Sequence, residues 1–261
     1  MPQLLSLDTS AIAVAWQVLF AREFHVPLRW STLVITASAV WVIYVADHLL
    51  DTRGSAPLSV RHGFVRAHRR GFILVSSSLL VGCVCCLIWI PVPTLLSGLA
   101  LSLAVLVYAA IVHFSADHLK ADWPKELIVG VLFASGSAIA TWSYPHLAKA
   151  TLSTLLPFIG LCSLNCAMLE FQEWQKRPDR SFPPHPSTQW IGQHCGGLTI
   201  CLLVALVAVA WFGHHERMML AMALSATLQF LIVRLGRNWQ ADSVRALADA
   251  SLLTPLLMLW R

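Results

Sequence analysis

The sequence predicts an all-α, polytopic membrane protein, a nine-transmembrane-helix bundle with a central cavity open to the cytoplasmic side. Three observations predict it. The chain of 261 residues is 57% hydrophobic and only 12% charged, with a mean hydropathy of +0.68, far from the composition of soluble domains. Apolar windows long enough to cross a bilayer recur from end to end. Two of these windows close on acidic clusters, and a carboxylate at a membrane boundary is costly unless it faces protein, water or a cation.

In chain order the windows fall at 7–24, 31–50, 71–91, 94–114, 126–143, 152–172, 191–212, 218–235 and 243–260. The first and last carry an acid each: Asp8 opens one and Asp249 lies inside the other. The runs are continuously apolar rather than alternating, which excludes a β-barrel. No basic region precedes the first window and no small-residue cleavage site follows it, so a cleaved signal peptide is not expected. Without internal repeats or low-complexity tracts, residues 1–261 read as a single membrane-embedded domain.

Loop charges give an orientation. With nine spans, the N-terminal tail and every second loop share one side, and that side carries most of the 18 Lys and Arg. Positive-inside reasoning puts it in the cytoplasm, with the N-terminus inside and the C-terminus outside; in a bacterium this is the inner membrane. Both acidic clusters then face the cytoplasm. The first contains Asp47 and Asp51, four residues apart, and the second Glu170 and Glu173, three apart. Each pair shares one face of a helix. Two such faces brought together make an oxygen-rich cage suited to Mg²⁺ carrying a diphosphate, so Asp47, Asp51, Glu170 and Glu173 are the candidate metal ligands.

A basic stretch follows each cluster directly. Arg53, Arg61, Arg66, Arg69 and Arg70 follow the first; Lys176, Arg177 and Arg180 follow the second. Arg and Lys beside carboxylates neutralise phosphate oxygens while the acids hold a metal; the alternative is ordinary positive-inside residues touching anionic lipid. Arg53 and Arg61, nearest Asp51, are the stronger phosphate candidates of the first group. Arg245 and Asp249, four apart in the last window, either neutralise each other within the helix or leave Asp249 facing the cavity as an acceptor. Asn165 and Gln17 read as interhelical hydrogen-bonding residues or as cavity residues. The seven cysteines all lie in apolar windows without partners at finger-like spacing, so they read as small, reduced packing residues. His185 and His214-His215 read as solvated loop histidines.

Nine spans with one acidic motif after helix 2, another after helix 6, and basic cytoplasmic loops resemble the UbiA superfamily of intramembrane prenyltransferases. The family's first motif reads Asn-Asp-x-x-Asp-x-x-x-Asp. Asp47 and Asp51 match its last two Asp, while Ile43 and Tyr44 stand where the family has Asn and Asp. The run Cys166-Ala167-Met168-Leu169-Glu170 followed by Glu173 resembles a second-motif variant, Tyr-Ala-Met-x-Asp-Arg-x-Asp, with Glu replacing Asp. Trp123-Pro124-Lys125-Glu126, opening helix 5, is similar to the family's basic residue before that helix.

The resemblance implies an enzyme with Mg²⁺ as cofactor, an isoprenyl diphosphate as donor, a lipophilic (aromatic or lipid) acceptor, membrane lipid as the surroundings, and no nucleic acid. Ionisation of the donor leaves an allylic carbocation that needs departing-pyrophosphate stabilisation and a dry, aromatic-lined pocket. Trp16, Trp41, Tyr44, Tyr108, Trp142 and Phe171 are the rings available for that lining or for plain packing. The implied catalytic residues are Asp51, Glu173 and Tyr44, and the implied substrate-binding residues are Arg53, Arg61, Lys125, Asn165 and Asp249. Two alternatives share the fold: a terpene cyclase that turns the same cation onto its own double bonds, and a catalytically inactive relative.

Overall fold

The computed structural model describes residues 7–51, 64, 66–114, 123–177, 183–213 and 215–259, the side chain of Asp51 excepted. Every regular element among them is helical. In chain order these are α1 (Leu7–Glu23), α2 (Trp30–Asp51), α3 (Arg69–Cys86), α4 (Val92–Phe114), α5 (Lys125–Ser137), α6 (Ile139–Trp142), α7 (Pro145–Lys176), α8 (Pro186–Gln193), α9 (Cys195–Gly213), α10 (Glu216–Leu235), α11 (Ala241–Ser251) and α12 (Pro255–Leu259). Six of the helical segments are long and apolar enough to cross a membrane: Trp30–Leu50, Arg69–Trp89, Val92–Phe114, Pro145–Lys176, Cys195–Phe212 and Glu216–Asn238.

The other three apolar windows hold short or broken helices. α1 has only 17 residues. The window 126–143 breaks at Ala138, where Trp142 Nε1 turns back to donate to Ser135 O at 2.8 Å. The window 243–260 breaks at Leu252–Thr254, where hydroxyls replace helical bonds. Ser225 Oγ donates to Ser251 O at 2.9 Å and meets Thr254 Oγ1 at 2.7 Å, and Thr254 Oγ1 donates to Ala221 O at 2.9 Å. Backbone groups freed by a break inside a bundle are tolerable only when neighbouring groups satisfy them in this way.

α7 is the central element. Pro145 pre-sets φ at its first turn, and 32 residues at about 1.5 Å each give it a length of about 48 Å, more than a hydrocarbon core requires. It packs along α5, where Gly130 admits the backbone of Ser163: a Cβ at Gly130 would overlap Ser163 N and Cα. Small residues of this kind let helices approach closely where no hydrophobic drive separates lipid from protein. On another side Gly192 of α8 makes room for the ring of Phe171. The main core joins α1, α7, α10 and the α11–α12 turn through Trp16, Phe20, Phe158, Leu161, Met218, Met222 and Leu252. Trp16 stacks against Phe158 at 4.4 Å and donates its Nε1 to Leu252 O at 2.9 Å.

α3 and α4 form the edge. α3 buries only Phe72 and Cys86, and α4 only Thr94, among their residues, so both expose long apolar faces of the kind a bilayer solvates. Arg29 and Ser31 fasten the start of α2 to the end of α3 by donating to Trp89 O at 2.9 and 3.3 Å.

Several expectations change here. All seven cysteines are free thiols, yet Cys85 and Cys201 are exposed rather than packed. His185 is no solvated loop residue: its Nδ1 accepts from Ser187 N at 3.2 Å and caps α8. His215 Nδ1 lies 3.4 Å from Glu23 and stacks on Phe24; His214 lies outside the described residues. Trp16 and Trp142 pack in or against the main core, and Trp41 packs on Val45 and Phe72 beside a separate apolar groove; none of the three lines the cavity that holds the acids.

Candidate functional site

α2, α4 and α7 end, and α5 begins, around one cavity of about 240 Å³. α2 contributes Tyr44 and Asp47, α4 Tyr108, α5 Lys125 and Glu126, α7 Asn165, Cys166 and Glu170, and α11 Arg245 and Asp249. Ile12, Val129, Phe133 and Leu169 complete its apolar wall. Asp47, Glu126, Glu170 and Asp249 give this cavity an acidic lining, and carboxylates so gathered depend on basic partners.

Three carboxylates of the acidic helices each have a basic neighbour, two of them arginines and one a histidine. Asp47 Oδ1 lies 3.1 Å from His113 Nε2, Glu170 Oε1 lies 3.2 Å from Arg177 Nη2, and Glu173 Oε1 lies 2.8 Å from Arg245 Nη2. Glu173 stands behind Arg245 rather than on the cavity wall. Lys176, grouped with the phosphate candidates from sequence, instead donates to Gly236 O and Trp239 O at 3.0 and 2.8 Å, tying the end of α7 to the turn after α10. Gln172 Nε2 joins it on Gly236 O at 3.2 Å.

Of the residues singled out from sequence, the fold brings Tyr44, Asp47, Lys125, Asn165, Glu170 and Asp249 to one cavity. Asp51 ends α2, its side chain undescribed, and Arg53 and Arg61 lie outside the described residues. Arg66, Arg69 and Arg70 are exposed and line none of it. Sequence reasoning missed three contributors. Arg245, expected to act within its own helix on Asp249, also reaches across to Glu173 on α7. His113 gave no signal beyond its place at the end of an apolar window. Glu126, adjacent to Lys125, was readable only as an acid opening a helix.

The resemblance to the UbiA superfamily implies Mg²⁺, and the residues present test that. Asp47, Glu170 and Glu173 each face a basic side chain, His113, Arg177 and Arg245, and among the described residues no three His, Cys, Asp or Glu side chains converge on one point. This donor set fits a series of ion pairs and not the near-octahedral oxygen shell of Mg²⁺. No step is therefore derived through a resident metal. No protein-family model, curated protein or solved structure matches the chain.

Proposed function

We propose that the protein is an intramembrane prenyltransferase of the UbiA type, moving a prenyl group from an isoprenyl diphosphate to a lipophilic acceptor. The single observation that carries this reading is the cavity that joins Asp47 and Glu170, one from each acidic helix, with the cations Lys125 and Arg245. In this reading the chain crosses the membrane nine times, α5 with α6 and α11 with α12 each making one traversal. The N-terminus and the cavity mouth face the cytoplasm, and the exposed faces of α3, α4 and α9 meet lipid. Lys125 and Arg245 take the diphosphate oxygens by charge-assisted hydrogen bonds, and Mg²⁺ arrives as part of the substrate, chelated by the diphosphate. The donor C1–O bond breaks and its electrons leave with pyrophosphate, while the rings of Tyr44, Tyr108 and Phe133 face the allylic cation. At about 240 Å³ the cavity is below the roughly 300–1,000 Å³ of sites that enclose a drug-sized ligand, so it holds the head and the reacting carbon while the chain trails into lipid.

Pyrophosphate release by purified protein from geranyl, farnesyl and geranylgeranyl diphosphates, with and without Mg²⁺, tests the reading. Release that depends on an added lipophilic acceptor is the expected result. A hydrocarbon or terpene alcohol formed from the donor alone means cyclisation instead, and no release from any donor means an inactive relative.

A further inference from the structure

Glu126 is the one Asp or Glu buried among the described residues, 6% exposed, and it lines the cavity. Two features place it there. It sits in the first turn of α5, where the helix dipole favours negative charge. Thr188, fully buried on α8, donates its Oγ1 to Glu126 Oε2 at 2.7 Å. The other oxygen, Oε1, has no hydrogen bond; Lys125 Nζ, at 3.8 Å, is within ion-pair range but beyond hydrogen-bond reach. From α7, Asn165 Oδ1 lines the same cavity, equally buried and equally without a hydrogen bond. Two buried acceptor atoms on one cavity call for a ligand that donates, because a buried acceptor left unsatisfied is costly.

We infer that Glu126 binds and deprotonates the prenyl acceptor, which is a lipophilic phenol, alcohol or amine whose O–H or N–H reaches Oε1. This rests on the prenyl-transfer reading above. As the donor C1–O bond breaks and pyrophosphate leaves with the electron pair, the acceptor oxygen or nitrogen forms its bond to C1. Its proton passes to Glu126 Oε1, and the O–H or N–H electrons stay on the heteroatom. Nothing else enters or leaves. Thr188 is a positioning residue: by holding Oε2 it aims Oε1 at the cavity.

Glu126→Gln keeps size and gives the Thr188 hydroxyl an amide oxygen to hold, which leaves an NH₂ where Oε1 was. An acceptor of hydrogen bonds becomes a donor. The probes are 4-dodecylphenol and its methyl ether, titrated against the full chain in lipid nanodiscs by tryptophan fluorescence. The wild type is expected to prefer the phenol by about tenfold in Kd, and Glu126→Gln to bind the two within about twofold of each other. Thr188→Val, which loosens the carboxylate without removing it, is expected to shrink the preference to about threefold, and it serves if Glu126→Gln does not fold. With farnesyl diphosphate, prenylation of the phenol by Glu126→Gln is expected to fall at least about 100-fold, the scale of a lost general base. Equal binding of phenol and ether by the wild type, or an undiminished preference in both variants, overturns the inference. Prenylation by Glu126→Gln at the wild-type rate sinks Glu126 and leaves prenyl transfer standing. A phenol preference that Glu126→Gln abolishes, in a wild type that releases no pyrophosphate from any donor, sustains the ligand site and sinks prenyl transfer.

Discussion

The two acidic clusters resemble each other in sequence, yet they sit in opposite settings. The α7 cluster belongs to the most buried of the apolar helices: 61% of its most apolar window is inside the bundle, α5 and α8 press against it through glycines, and both its carboxylates face arginines. The α2 cluster faces the edge. Asp47 is paired with His113 of α4, a helix none of whose apolar window is buried, and the Asp47 side chain is 45% exposed. An arginine is charged at every working pH, whereas a histidine is charged only when protonated. The α7 carboxylates are thus paired by guanidiniums among packed helices, and Asp47 by an imidazole on a helix that packs little.

The largest expected effect breaks an arginine pair of α7. Arg245→Ala removes the ion-pair partner of Glu173 and leaves Lys125 as the one Lys or Arg on a cavity wall that carries Asp47, Glu126, Glu170 and Asp249 among the described residues. Donor-dependent pyrophosphate release is expected to drop at least about 100-fold, the scale of one lost preorganised cation or donor, with Arg245→Lys recovering part of it. Activity within threefold of wild type would remove Arg245 from the site.

Next in size is the scaffold itself. In a helix, Gly→Ala normally stabilises by about 0.5–1 kcal/mol. At Gly130 the added methyl meets the Ser163 backbone, so Gly130→Ala is expected to destabilise by about 1–3 kcal/mol instead. Gly82 of α3 has nothing within 4 Å, and Gly82→Ala is expected to leave the melting temperature in detergent unchanged or slightly higher. Equal behaviour at the two positions would dissolve the contrast between centre and edge.

A smaller effect is expected at the edge. His113→Ala removes the partner of a half-exposed Asp47, so stability should change by no more than about 1 kcal/mol, while the apparent donor KM shifts severalfold. Lys125→Ala should likewise raise donor KM at unchanged expression, because its ammonium, 52% exposed, contributes binding rather than packing. The smallest effect belongs to Arg177→Ala: with Arg177 48% exposed, its pair with Glu170 is worth about 0–1 kcal/mol, and turnover should stay within twofold. A larger loss there than at Arg245 would reverse the roles of the two arginines.

Much of this was legible in the chain. Long apolar windows have one stable form in a bilayer, the helix, because every backbone group must be satisfied within the segment; helices occupy all nine windows. The i,i+4 and i,i+3 spacings of the acids likewise dictate shared faces whatever surrounds them. Breaks at Ala138 and Leu252–Thr254 were not legible, since hydropathy carries no record of hydroxyls such as Ser225 that rescue a broken helix from its neighbour. Nor was the choice of ion-pair partners. Arg245 and Asp249 satisfy the geometric rule for pairing within a helix, but no spacing announces that Arg245 also meets Glu173, 72 positions away in the numbering, because α11 packs on α7. Local spacing thus determined helices and faces, which depend on residues a few positions apart. Only the packing of α2, α4, α5, α7 and α11 decided which charges meet, because Coulomb and hydrogen-bond energies depend on distances in space that no sequence spacing records.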